Sequence, residues 1–144
     1  MVSFFGEYRA SLDGKNRVMI PSRLREQAGH APIWVLTRGL DRCLALYTPT
    51  RWEELVSKVS AAPFTKAKVR QFQRLMFSRA QQVECDKNGR VLVPEYLKAG
   101  VLAGSKVVFA GLADRVDLWD AQAWDSLQSS LEGDFENLAE DLFS

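Results

Sequence analysis

The stretch DGKNRVMIP at residues 13–21 returns 73 residues later as DKNGRVLVP at residues 86–94. Both copies consist of an acid, three polar or Gly residues, an arginine, three apolar residues and a proline. This order is typical of a strand end, a tight turn, a short buried strand and a stop. Because an internal repeat is one supersecondary unit used twice, the duplication decides the architecture before any single residue does.

The similarity extends beyond the nonapeptide, since Leu24 matches Leu97 and Trp52 matches Trp124 in nearly the same register. Each unit predicts a hairpin, a short helix, a second hairpin and a longer helix, with the tryptophans as core anchors. The second hairpins are expected at residues 33–37 with 43–47, and at 107–111 with 116–119. The predicted organisation is a first repeat at 4–60, a basic linker helix at 61–79, a second repeat at 80–132 and an acidic tail at 133–144.

Bulk composition places the 144 residues among folded proteins, with 47% hydrophobic residues. Repeats of about 55 residues bury too little surface to be stable alone, so we expect them to pack on each other or on other subunits. No apolar run approaches the roughly 20 residues of a membrane span, and the start lacks a signal-peptide pattern. We therefore expect a cytoplasmic protein. Cys43, Cys85 and His30 are scattered, so the sequence predicts no metal, no cofactor and no enzyme.

Charge is distributed unevenly along the chain. The net charge is +1, but residues 1–79 carry +8 and residues 80–144 carry −7. Such a split suggests a front that faces a polyanion and an acidic back. The alternative is that the two halves attract each other, within one chain or between chains.

The turn inside each nonapeptide has a clear chemical pattern. Asn16 and Gly89 directly precede the arginine, and these residue types best tolerate the left-handed conformation. Asp13 and Asp86 are expected to hold the turn by accepting backbone N–H bonds, so these two and Gly89 are interpreted as structural. The run Val18-Met19-Ile20 is apolar throughout, which predicts a strand buried on both faces.

The duplicated Asp-x-x-x-Arg motif with a basic helix between the copies resembles the MraZ family of AbrB-like, swapped-hairpin DNA-binding proteins. The resemblance implies an α+β, β-rich fold of two tandem swapped-hairpin repeats packed as a pseudo-dimer, with helices outside. It also implies a nucleoid-associated transcriptional regulator that forms a homo-oligomeric ring. Its implied partner is double-stranded DNA with short direct repeats, in the promoter of a division and cell-wall gene cluster that includes its own operon.

The resemblance places DNA contacts in the first turn, at Lys15, Asn16 and Arg17, although the family usually has Gly where Asn16 stands. An arginine fork matches guanine or phosphate, and lysine offers a point charge. Flanking basic residues add phosphate candidates, and the second turn adds further ones. These are Arg9, Arg23 and Arg25, and then Lys87, Asn88 and Arg90. From the charge split we expect Arg17 to read DNA and Arg90 mainly to support the fold or the assembly.

Two alternatives stay open at this point. One is that both turns are purely structural. The other is an antitoxin-like DNA-binding module that also holds a protein partner through its acidic tail, although the second complete repeat counts against it. The tail has spaced apolar residues that fit one or two amphipathic turns or a disordered segment. A further alternative is that this acidic tail docks on the basic half of a neighbouring chain.

Overall fold

A computed structural model describes residues 3–144. The first repeat contains β1 (Phe4–Ser11), β2 (Arg17–Met19), α1 (Ser22–Gln27), β3 (Ile33–Arg38), β4 (Leu44–Tyr47) and α2 (Pro49–Ser60). The basic linker forms α3 (Ala67–Arg79). The second repeat contains β5 (Gln81–Glu84), β6 (Arg90–Leu92), α4 (Glu95–Lys98), β7 (Lys106–Ala113), β8 (Val116–Asp120) and α5 (Ala121–Leu131). The α+β, β-rich class is confirmed.

The strands of the two repeats are interleaved in one antiparallel sheet. Its order is β1-β7-β8-β4-β3-β5, and β2 and β6 form a separate two-stranded ribbon. β1 pairs with β7 from Phe4 opposite Ala113 to Ser11 opposite Lys106. The second hairpins, β3–β4 and β7–β8, form as expected. The partners of β1 and β2, in contrast, both come from the other repeat, so the first hairpin is exchanged between the copies.

The ribbon has one buried face and one exposed face. Val18 and Val91 are cross-strand partners and are 1% and 2% exposed. Met19 is 47% exposed and Leu92 is 56% exposed. The expectation that residues 18–20 are buried on both faces is therefore wrong at Met19, because the ribbon covers the core with one face and no further layer covers the other. Pro21 then ends the strand, since proline has no N–H for the ladder.

One main core joins the two repeats. Its largest buried side chains include Trp34, Phe4, Phe109 and Leu118, and the rings of Phe4 and Trp34 lie 5.6 Å apart. A smaller cluster lies between α5 and the sheet and contains Trp119 of β8 and Trp124 of α5. Because strands from both halves supply the same core, the charge split of the sequence does not correspond to two separate bodies.

The two predicted tryptophan anchors differ. Trp124 is buried at 8% exposure, as expected of a core residue. Trp52 is only half-buried, and its ring contacts the rings of Tyr47 at 5.8 Å and Phe77 at 5.9 Å. It therefore ties α2 to β4 and α3 rather than anchoring the main core.

The acidic tail is helical. A 3-10 turn at Glu132–Asp134 follows α5, and α6 spans Phe135–Phe143. Of the two structures left open from sequence, the ordered amphipathic one is formed. Within residues 3–144, none of the helices has both the length and the apolar character needed to cross a membrane.

Candidate nucleic-acid interface

The exposed side of the β2–β6 ribbon brings the two copies of the motif together. Side chains alternate along a strand, so residues two apart share one face. Arg17 lies opposite Leu92, and Met19 lies opposite Arg90. Each arginine therefore has an apolar residue of the other copy as its cross-strand neighbour. We call this surface the ribbon face; its members are Arg17, Met19, Arg90 and Leu92.

The first turn is held by a single carboxylate. Oδ1 of Asp13 accepts hydrogen bonds from the backbone N–H groups of Lys15 and Arg17, both at 2.9 Å. Oδ2 accepts from Nε of Arg17, also at 2.9 Å. These bonds lower the pKa of Asp13, and the largest cause is the backbone N–H of Arg17. The carboxylate thus shapes the turn and fixes the guanidinium through Nε, and the two terminal nitrogens of Arg17 make no hydrogen bond within residues 3–144.

The second turn repeats this geometry. Oδ1 of Asp86 accepts from the backbone N–H of Asn88 at 2.8 Å and of Arg90 at 2.9 Å. Oδ2 accepts from Nε of Arg90 at 3.0 Å. The pKa of Asp86 is lowered as well, again chiefly by the backbone N–H of its arginine. Both arginines therefore leave their turns in the same orientation.

The residue before each arginine is left-handed, which confirms the sequence expectation: φ is 62° at Asn16 and 82° at Gly89. Its surroundings differ between the copies. The amide Nδ2 of Asn16 donates to Oε2 of Glu95 at 2.9 Å. Over Gly89 lies the guanidinium of Arg25, whose Cζ would be 2.5 Å from a Cβ built at that position.

Each turn is closed by the opposite copy. The backbone N–H of Ile20 donates to the carbonyl of Gly89 at 3.0 Å, and the N–H of Val93 donates to the carbonyl of Asn16 at 2.8 Å. Nε of Arg25 also donates to the carbonyl of Ile20 at 2.9 Å. These reciprocal bonds give the ribbon a pseudo-twofold arrangement.

A protein-family model matches the chain twice, at residues 3–75 and 76–144, and carries the description "MraZ protein, putative antitoxin-like". Together the two matches span almost the whole sequence. The chain belongs to the MraZ family.

Three relatives named "Transcriptional regulator MraZ" resemble the whole chain. The proteins of Heliobacterium modesticaldum, Natranaerobius thermophilus and Desulforamulus reducens are 41%, 39% and 37% identical over 139 residues. Each alignment covers 96% of this chain and 96% of the relative. The comparisons thus support a transcriptional regulator.

The remaining predicted site residues fall into two groups. Lys15 lies exposed at the first turn, and Lys87 and Asn88 lie exposed at the second. Arg23 is exposed on α1, next to the ribbon. The side chains of Asn16 and Arg25 are already engaged with Glu95 and with the Ile20 carbonyl.

Arg9 lies apart from the turns. It belongs to β1 in the large sheet, and its guanidinium forms an ion pair with Asp125 of α5 at 2.6 Å. This pair raises the pKa of Arg9 and lowers that of Asp125. Flanking the turn in sequence does not bring Arg9 to the ribbon face.

Met19 and Leu92 are the members of the surface that sequence reasoning missed. Each stands in the middle of an apolar triplet that is typical of a buried strand. The signal that distinguishes them is the ribbon itself, whose outer face has no covering layer, and that is visible only once β2 is paired with β6.

Proposed function

We propose that this chain is a DNA-binding transcriptional regulator that places its ribbon face in the major groove of double-stranded DNA. The observation that carries the proposal is the presence of two identically held arginines on one face of an antiparallel ribbon. A two-stranded β-ribbon fits the width of the major groove. The similarity to relatives named transcriptional regulators supports this class of protein.

The arginines are the groups proposed to read bases. In each, Nε is bound by an aspartate of its own turn, so the guanidinium is oriented before DNA arrives and its terminal nitrogens remain for a fork to guanine O6 and N7. A bidentate contact of this kind is worth about 1–3 kcal/mol of discrimination.

The apolar members complete the readout. Met19 and Leu92 each lie beside an arginine of the other copy, at positions where an apolar group meets the methyl of thymine. Lys15 and Lys87, on the exposed tips of the turns, and Arg23 on α1 are proposed to contact phosphates, which position the protein without reading sequence.

This geometry revises the expectation for the second copy. The acidic half of the sequence suggested a supporting role for Arg90. In the ribbon, however, Arg90 is bound by its own aspartate in the way that Arg17 is, and it lies at the equivalent strand position on the same face. We therefore assign DNA contact to both copies.

The target and the assembly follow from the family resemblance. We propose that the sites are short direct repeats in the promoter of a division and cell-wall gene cluster, including the chain's own operon. One ribbon face offers few contacts, so a homo-oligomer, such as a ring, would bind several repeats at once and gain affinity by avidity. The proposed location is then the cytoplasm, at the nucleoid.

The test is a double substitution, Arg17→Ala with Arg90→Ala, titrated against the DNA upstream of the gene. We expect affinity to fall by roughly 30-fold or more, because two bidentate contacts of about 1–3 kcal/mol each are lost. The dependence of affinity on salt should be steep for the parent, since phosphate contacts release counterions.

A matched control removes the same charge elsewhere, with Arg9→Ala and Lys58→Ala. It should bind within a few-fold of the parent, and urea unfolding should show that both proteins are folded. Parent-like binding by the folded Arg17→Ala, Arg90→Ala protein would overturn the proposal, as would an affinity that ignores salt.

A further inference from the structure

The tail helix α6 has an apolar face that its own chain does not cover. Phe135, Leu138, Leu142 and Phe143 are 75%, 53%, 76% and 82% exposed. Their spacing of i, i+3, i+7 and i+8 places them on one stripe of the helix. Exposed apolar patches of this kind mark interaction sites, and within its own chain α6 packs mainly on the 3-10 turn that precedes it.

Acidic residues lie beside the apolar stripe. Glu136 and Glu140 flank it on one side and Asp141 on the other, by the 100° step of an α-helix. No Lys, Arg or His occurs in the sequence after Arg115. The stripe therefore belongs to an acidic surface and is suited to an apolar partner with a basic rim.

A groove of matching chemistry lies in the first repeat. It runs between α3 and the turn that joins β3 to β4, and its volume is about 310 Å³. Leu40, Phe72 and Leu75 line it and are 70%, 40% and 50% exposed. Arg38, Asp41 and Arg42 also line it, which gives it a net positive charge. The guanidinium groups of Arg38 and Arg42 make no hydrogen bond or ion pair within the part of the chain that is described. We call this site the α3 groove.

We infer that α6 of one copy docks in the α3 groove of a second copy of this chain. The helix supplies an apolar stripe with acidic flanks, and the groove supplies apolar walls with unpaired arginines. The ribbon face is also basic and partly apolar, but each of its arginines is already bound to an aspartate. The groove is thus the site where an acidic helix gains new ion pairs as well as apolar burial.

The contact joins two different surfaces, so every chain carries one donor helix and one acceptor groove. Such a heterologous contact closes into a ring or is exchanged reciprocally between two chains. The inference rests on the self-association in the proposed function and names its interface, and it does not depend on DNA binding.

The experiment measures the mass of the purified full-length chain by sedimentation, over a range of concentrations. The parent is expected to exceed the 16.2 kDa of one chain. Glu136→Lys with Glu140→Lys should weaken self-association by at least tenfold, and so should Arg38→Glu with Arg42→Glu. Combining all four substitutions restores opposite charges across the contact and should recover the parent's assembly.

A matched control reverses two exposed acids elsewhere, Glu26→Lys with Glu53→Lys, and should assemble like the parent. Circular dichroism melts establish that each protein is folded, and the four-substitution protein excludes misfolding as the cause of a loss. Recovery in that protein supports the inference directly.

Three results would overturn it. The first is a parent that sediments as one chain at every concentration, which would assign α6 to its own chain or to a different protein. The second is unchanged assembly in the tail and groove variants, which would place self-association elsewhere. The third is tighter DNA binding by the tail variant at unchanged mass, which would place α6 on the ribbon face. Loss of DNA binding by the ribbon variants bears only on the proposed function.

Discussion

The turns at residues 13–17 and 86–90 have the same internal hydrogen bonds but different contacts with the facing repeat. Inside, one aspartate makes the same three hydrogen bonds in each copy. Outside, the first turn is bound by Glu95 and the second is covered by Arg25. The inner bonds span at most four residues, whereas the outer contacts come from a helix of the other copy. Local sequence therefore sets the conformation of the turn and the orientation of its arginine, and the opposite repeat supplies the side chain that packs against the turn.

The residues that make these contacts differ between the two copies, although in both cases they come from the short helix of the other copy. In the repeat alignment Glu95 corresponds to Ser22, and Arg25 corresponds to Lys98. Each turn thus retains one side-chain contact from the facing helix, at a different position in each half. A turn with Asn before the arginine is paired with a carboxylate, and a turn with Gly is paired with a guanidinium that needs the space left by the missing Cβ.

The strongest test of the comparison is to remove the two arginines separately. Arg17→Ala and Arg90→Ala should each reduce DNA affinity by about 10- to 100-fold, because each loses one bidentate contact of about 1–3 kcal/mol. Fluorescence anisotropy titrations at one fixed salt concentration measure both. If Arg90→Ala binds like the parent while Arg17→Ala does not, the two copies are functionally unequal.

Exchanging the residue types that precede the two arginines should change the free energy of unfolding by different amounts in the two turns. Gly89→Asn should lower the free energy of unfolding by about 1–2 kcal/mol. Its Cβ would displace the guanidinium of Arg25, which then loses its hydrogen bond to the Ile20 carbonyl, and the φ of 82° is less favourable for Asn than for Gly. Asn16→Gly should change it by about 0.5 kcal/mol or less, since Gly suits the same φ and only one exposed hydrogen bond is lost. Urea unfolding measures both, and equal effects would contradict the asymmetry described for the two surroundings.

The apolar residues of the ribbon face permit a test on the DNA itself. Met19→Ala and Leu92→Ala should each cost about 1 kcal/mol of affinity at a contacted thymine, on the scale of one buried methyl group. Replacing that thymine by deoxyuracil, which lacks the methyl, should weaken the parent and leave the variant unaffected. Leu112→Ala, an exposed apolar residue on β7, is the control. A variant as sensitive to deoxyuracil as the parent would exclude the methyl contact.

The smallest expected effect concerns the carboxyl groups. NMR titration should find the pKa values of Asp13 and Asp86 below their ordinary value. Arg17→Ala should leave most of the shift at Asp13, because the backbone N–H of residue 17 is the largest cause and survives the substitution. Both shifts are downward, so their contribution to stability is present above about pH 4 and is lost as pH falls through the folded pKa. A return of Asp13 to its ordinary pKa in Arg17→Ala would assign the shift to the side chain.

Much of the fold follows from sequence patterns. The duplication predicted two equivalent units, the apolar runs predicted β3–β4 and β7–β8, and the residue types at Asn16 and Gly89 predicted left-handed backbone. The exchange of β1 and β2 between copies was not derivable from spacing. The alternation of side chains along β1 or β2 is the same whether the partner strand is local or lies in the other repeat. Only the resemblance to swapped-hairpin proteins pointed to the exchange.

The candidate site was less accessible from sequence. Counting charges along the chain assigned Arg17 and Arg90 to opposite halves, whereas strand pairing puts them on one ribbon. Asn16 was a predicted DNA contact, but its side-chain amide donates a hydrogen bond to Glu95, which is 79 positions away in the sequence. Contacts of this range depend on how the strands are paired, and no local pattern encodes them.

The exchange of strands between the repeats has a consequence for synthesis. Phe4 pairs with Ala113, and Arg17 faces Leu92, so the first strands emerge from the ribosome long before their partners exist. Pairing over such sequence distances is slow to form, and unpaired strand edges favour aggregation in the meantime. A chain that terminates before β6 has no ribbon face, so we expect no partly active regulator to arise from such an incomplete product.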